Sequence, residues 1–180
     1  MELPRESAMT TNWVHGNATV VESPESLSQV GYFGWGADMY VRPGLKSWFH
    51  IPLPTPSVVD GAAGILESIV LLYGCESGHI AEIDVYDGPT RLHSFTGLDL
   101  AGEHRGAQDA STNYALPAPH PMRFGASLSF WFLADTGPDS AIPDARVSVS
   151  SAAANFSMER IFERPIAREA DLRDIRKVEP

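Results

Sequence analysis

Apolar and polar residues alternate with a period of two over much of the chain, the spacing of strands that bury one face and wet the other. Residues 79–86 place Ile83 and Val85 on one side and Glu82, Asp84 and Tyr86 on the other. Residues 124–134 place Phe124, Ala126, Leu128, Phe130 and Phe132 on one side and Ser127, Ser129, Trp131 and Leu133 on the other, which predicts a central strand. Residues 146–150 alternate most cleanly, and shorter strands are expected at 18–21, 38–41, 47–51 and 90–96, with a weaker one at 112–116. The longest apolar run, 65–73, suits a strand buried on both sides or a short helix, and its strand-like neighbours favour the strand. Residues 26–29 are too short to decide.

Turn chemistry separates these segments. His15-Gly16-Asn17 and Ser23-Pro24-Glu25-Ser26 read as turns, and Gly34 and Gly36 around Trp35 suit a tight turn or bulge. Arg42-Pro43-Gly44 has Pro and Gly where a four-residue turn wants them, and Asp87-Gly88-Pro89 marks a hairpin. Pro52, Pro54 and Pro56 cannot donate to a ladder and predict an edge strand or polyproline crossover, while residues 117–121 and 135–144 read as loops. Beyond Arg164 the pattern changes: Pro165 is placed as a first helical residue and Glu169 precedes Arg173 by one helical turn, but Ile166, Leu172 and Ile175 share no narrow stripe. The expected organisation is a loose leader at 1–11, a single β domain at 12–163 and a helical tail at 164–180. The fold class is all-β, an antiparallel jelly-roll-like β-sandwich or a β-barrel with one short C-terminal helix.

Charge narrows the partners. Of the formal net charge of −10, none belongs to the tail from Glu159, where six acids balance six bases. The body is therefore acidic, which argues against nucleic acid or an anionic membrane as partner. Cys75 is the single cysteine, excluding an intrachain disulfide; with no apolar run of signal-peptide or membrane-spanning length, a cytoplasmic location is expected. The triplets Asn17-Ala18-Thr19 and Asn155-Phe156-Ser157 are incidental in such a chain.

Candidate chemistry is sparse. The six histidines lack the spacing of a cupin-type or His-Glu-x-x-His metal site, so no metal is expected. Gly74-Cys75-Glu76-Ser77-Gly78 is not a nucleophile elbow, no Gly-rich phosphate loop precedes a helix, and no cofactor is implied. General acid–base chemistry remains: His50 shares a strand face with Trp48 and is the proton-transfer candidate if that face lines a pocket, and otherwise donates to a backbone carbonyl. Glu103, His104 and Arg105 present an acid, a base and a cation from one loop, or else a solvated charge cluster. His50, Glu103 and His104 are thus the catalytic candidates. Trp35, Asp38, Tyr40, Trp48, Arg105 and Trp131 are the ligand-binding candidates.

His15-Gly16-Asn17-Ala18, Glu22-Ser23-Pro24, Phe33-Gly34-Trp35-Gly36, Trp48-Phe49-His50-Ile51-Pro52 with Pro54-Thr55-Pro56, and Gly102-Glu103-His104-Arg105 resemble the signature of a family of bacterial and fungal domains of unknown function, over roughly residues 12–154. The resemblance implies that Trp35, Trp48, His50, Glu103 and His104 belong to the family pattern, and implies no activity. The residues themselves lead to a domain enclosing a small, largely apolar organic molecule in an aromatic-lined cavity, as a cofactor-free isomerase or cyclase. The alternatives are a carbohydrate-binding module that stacks sugars on exposed tryptophans, and a self-associating structural protein forming homo-oligomers.

Overall fold

Strands that bury one face still need neighbours to pair their backbone groups, and one long strand takes part in half of the pairings among the described residues. The computed structural model describes residues 9–56, 58–59, 62–136 and 143–160. They form β1 (Met9–His15), β2 (Val20–Val21), β3 (Leu27–Phe33), β4 (Gly36–Val41), β5 (Lys46–Pro52), β6 (Val58–Val59), β7 (Ala62–Asp87), β8 (Thr90–Glu103), β9 (Asn113–Pro121), β10 (Ala126–Ala134) and β11 (Ala145–Arg160), with short 3-10 turns at Gly16–Ala18 and Pro24–Ser26. Every pairing is antiparallel, and the sheet curls into a half-barrel.

The spine is β7, which carries two leaves. One of its edges pairs with β11 from Ala62 to Glu76 and then with β10 from Gly78 to Asp87. The other pairs with β9 over Ile65–Val70 and with β8 from Gly74 onward. The first leaf continues from β11 to β4 and β3, with β1 running along the far end of the same β11 edge. The second continues from β10 to β5 and β2. Where β7 passes between leaves, Ser77 takes a left-handed φ of 55° and its carbonyl accepts from the Asp135 N–H.

Both leaves contribute to one core, in which Met39 and Val41 of β4, Phe49 and Ile51 of β5, Leu71 of β7, Phe130 and Phe132 of β10 and Val147 and Val149 of β11 are buried. Phe49 and Phe130 are direct cross-strand partners with ring centroids 5.1 Å apart. Burying such a side chain stabilises the fold by about 1.5–3 kcal/mol, which makes this pair a main tie between β5 and β10.

Several expectations change. Residues 65–73 and 79–86 are parts of one strand, because Gly74 and Cys75 pair with both β11 and β8, Glu76 with β11 and Gly78 with β10, so pairing resumes on either side of the left-handed Ser77. Residues 117–121 lie in β9, whose prolines sit on a sheet edge where a missing N–H costs no ladder bond. Pro52 instead closes β5 beside β10, and residues 53–56 leave the sheet. Ala18 belongs to a 3-10 turn, leaving Val20–Val21 as the strand, while residues 26–29 open β3. Phe124 is 73% exposed in the loop before β10, although the rest of its predicted row is buried. Asp87 fixes that loop: its buried carboxylate accepts N–H bonds from Arg123, Phe124 and Gly125 at 2.8–3.1 Å. The expected C-terminal helix lies outside the described residues.

Candidate functional site

The β3–β4 hairpin tip is built by glycine and held by the preceding turn. A Cβ on Gly36 would stand 2.2 Å from the Val149 carbonyl oxygen and one on Gly16 only 1.9 Å from it, so both segments lie directly against the β11 backbone. This is where β11 bulges between Val149 and Ser151. His15 Nδ1 accepts from the Asn17 N–H, which leaves Nε2 as the donor to the Gly34 carbonyl at 3.2 Å. The Asn17 side-chain amide donates to the Phe33 carbonyl at 2.9 Å. Residues of two sequence motifs therefore clamp one turn.

From that turn Phe33 and Trp35 project with their rings parallel to 3° and centroids 5.5 Å apart. A centroid separation well beyond the ~3.5–4 Å of direct carbon contact means the rings are slid past each other, and part of each face stays uncovered. Both are more than 40% exposed, Phe33 at 43% and Trp35 at 42%. The Arg105 guanidinium carbon lies 4.9 Å from the Trp35 ring centroid.

Arg105 is fixed in turn by Glu103. Its Nε donates to Glu103 Oε1 at 2.6 Å and its backbone N–H to the same oxygen at 3.1 Å. The Arg105 side-chain bond holds the Glu103 carboxyl below the usual carboxylate range. The pair lies over Gly74, where a Cβ would come 3.0 Å from Glu103 Oε2. Asp38, Ser148, Gly74 and Glu103 form one cross-strand row, in which the Ser148 hydroxyl donates to Asp38 at 2.5 Å. Tyr40, Arg146 and Glu76 form the next, where Arg146 donates to Glu76 at 2.6 Å. Trp35, Asp38, Tyr40, Glu103 and Arg105 thus share one end of the first leaf, on the face turned away from the core.

His104 turns the other way. Its ring packs 5.0 Å from that of buried Tyr73, Nε2 donates to the Ala101 carbonyl at 3.1 Å, and Nδ1 lies 3.0 Å from Ser111 Oγ. Burial pushes the Tyr73 hydroxyl up to about 12 and the Cys75 thiol likewise to about 12, so neither supplies a nucleophilic anion near neutrality.

His50, Trp48 and Trp131 occupy the outer face of the second leaf. Trp48 and Trp131 are cross-strand partners stacked at 5.7 Å and 13°, with Lys46 Nζ 4.9 Å from the Trp131 centroid. His50 Nε2 donates to Glu22 at 3.0 Å, which leaves Nδ1 to accept from the Ser129 hydroxyl at 2.8 Å. Asp84 beside Ser129 accepts from Tyr86, Arg91 and Ser94. The aromatic candidates therefore sit on outer faces of two leaves, not around one enclosed space. Phe33, Gly74, Ser148, Glu22 and Ser129 were missed as site residues; alternation from Trp35 pointed to Phe33, whereas the others depend on strand register.

Among the described residues no group of three or more His, Cys, Asp or Glu side chains is arranged to hold a metal ion, and no helix is long and apolar enough to cross a membrane.

A family model described as a family of unknown function (DUF6623) matches residues 7–129, more than half of the chain. No curated protein matches in sequence. Among solved structures, a family two carbohydrate esterase from Cellvibrio japonicus is 8% identical at a TM-score of 0.38, over 84% of this chain and 35% of that one, so the chain spans about a third of its length. The carbohydrate-binding module CBM36, in complex with calcium and xylotriose, is 11% identical at 0.35, over 78% of this chain and 96% of that one. An exo-beta-1,3-galactanase from Phanerochaete chrysosporium, with galactose, is 12% identical at 0.28, over 82% and 29%. Likenesses this distant carry no argument about function.

Proposed function

We propose that this chain, which belongs to that family of unknown function, is a carbohydrate-binding domain whose contact surface is the Phe33–Trp35 platform with the Glu103–Arg105 pair beside it. The carrying observation is the exposure of two parallel, offset aromatic rings next to a charge-assisted hydrogen-bonding pair. A sugar ring has an apolar face of C–H groups and a rim of hydroxyls. The first packs on an aromatic face, and the second needs donors and acceptors held in place. Glu103 supplies acceptors and Arg105 donors, both fixed by each other over Gly74. An acidic surface repels polyanions and is indifferent to neutral sugars.

The expected isomerase or cyclase finds no supporting geometry, because both ring nitrogens of His50 are engaged and His104 packs on Tyr73. The test is affinity electrophoresis through soluble polysaccharides of gluco-, galacto-, manno- and xylo-configured sugars. Retardation by at least one neutral polymer, lost in Trp35→Ala and kept in Trp48→Ala, supports the reading. Migration unchanged across the panel counts against it.

A further inference from the structure

We infer that the free edge of β3 pairs antiparallel with β3 of a second copy of this chain, joining two half-barrels through one continuous sheet. Open sheet edges invite pairing, and proteins that avoid it blunt them with prolines, charges, brevity or a covering loop. Most of the other edges among the described residues carry such devices. β9 has Pro117, Pro119 and Pro121; β8 has Arg91, Asp99 and Glu103; β2 and β6 are two residues long. β1 has no acid, lysine, arginine or proline of its own, but its middle residue Asn12 is met by Pro54, whose carbonyl accepts from the Asn12 side chain at 3.1 Å. β5 is bordered by β2 and by Glu22, whose N–H donates to the Trp48 carbonyl, and it ends in Lys46 and Pro52.

Among the described residues β3, Leu27–Phe33, is without these devices except near its start, where the Ser28 hydroxyl donates to the Asp144 carboxylate. Its seven residues, LSQVGYF, contain no charge and no proline, and among the described residues only β4 pairs with it. Val30 lies opposite Met39 and Tyr32 opposite Ala37, both partners fully buried, so Val30 and Tyr32 extend the core side of the sheet. Yet Val30 is 37% and Tyr32 57% exposed. An edge that continues the core beyond its last covered strand fits a partner strand better than it fits water.

A second copy is the occupant because the segment is self-complementary. Antiparallel pairing about a two-fold axis at Gly31 sets Val30 of each copy opposite Tyr32 of the other, a β-branched residue against an aromatic one, and sets backbone against backbone at the glycine. For a chain of net charge −10, two copies approach best along an uncharged strip. A single strand joint buries less than a standard interface, so the dimer is reversible and concentration-dependent. Phe33 lies on the opposite side from Tyr32, so the pairing carries both platforms on one outer face, about 14 Å apart across the join.

The test is sedimentation velocity over rising concentration, up to about 0.5 mM, a range that captures weak association. The wild-type chain is expected to shift from monomer to dimer. Val30→Lys and Tyr32→Glu, each checked for native unfolding behaviour, are expected to raise the dimer dissociation constant about tenfold or more by placing a charge on the joint. The register is read by mixing Val30→Cys with Tyr32→Cys chains under mild oxidation: the mixture cross-links, whereas either chain alone does not, since identical positions lie about 7–8 Å apart and Cys75 is buried. A wild-type chain monomeric throughout overturns the inference, as does a dimer indifferent to both charge substitutions. Cross-linking by either single variant alone overturns the register.

Discussion

His50 Nδ1 lies 2.8 Å from Ser129 Oγ across the β5–β10 pairing, while its Nε2 faces Glu22 at 3.0 Å. The imidazole thus bridges two leaf-two side chains, one of them buried Ser129, and leaves neither nitrogen free for a substrate. His50→Gln is expected to lose one of these bonds and to lower stability by about 1–3 kcal/mol, with carbohydrate retention unchanged. Chemical denaturation and affinity electrophoresis of the same preparation check this. Unchanged stability with lost binding would move the site to the second leaf.

Gly36 is expected to tolerate no side chain. Gly36→Ala puts a methyl 2.2 Å from a backbone oxygen that cannot swing aside, and is expected to cost about 2–4 kcal/mol. Gly34→Ala, two residues earlier, meets nothing within 4 Å and is expected to stay within about 1 kcal/mol of wild type. Urea midpoints of the two variants give the comparison, and equal losses would contradict this account of the hairpin.

Asp87 sets an acid limit on the loop before β10. Burial alone would raise its pKa, but the N–H groups of Phe124, Arg123 and Gly125, with His120, outweigh it and hold the carboxyl below the ordinary aspartate value. A depressed folded pKa contributes stability that is present above the unfolded value of about 3.9 and is lost as pH falls through the folded one. Asp87→Asn is expected to be about 1–3 kcal/mol less stable at pH 7, with the gap closing below about pH 4. Thermal unfolding of both proteins between pH 7 and 3 measures it, and a gap that widens in acid would reverse the sign.

The strand content was legible because its cause is local. Alternation at Ile83 and Val85, and at Leu128, Phe130 and Phe132, matches the faces these residues bury. The turns at Gly34-Trp35, Pro43-Gly44 and Gly88-Pro89 stand where their glycines and prolines placed them. The continuity of β7 was not legible, since Gly74 and Gly78 look like breakers until β11 and β8 pair with Gly74 and β10 pairs with Gly78. Nor was the division of the candidates between leaves. Trp35 and Trp48 are close in sequence, but β4 pairs with β11 and β5 with β10, and register alone decides that Trp35 meets Arg105 while Trp48 meets Trp131.

The measurement that bears most directly on the carbohydrate reading is isothermal calorimetry of wild-type, Trp35→Ala and Trp48→Ala chains against one oligosaccharide, cut from whichever polymer retards the protein in electrophoresis. Losing a central aromatic contact typically costs about 2 kcal/mol or more, so Trp35→Ala is expected to weaken binding roughly 30-fold or abolish it, while Trp48→Ala binds like wild type. Wild-type affinity in Trp35→Ala with loss in Trp48→Ala, or no heat from the wild-type chain at millimolar sugar, would contradict a platform at Phe33 and Trp35.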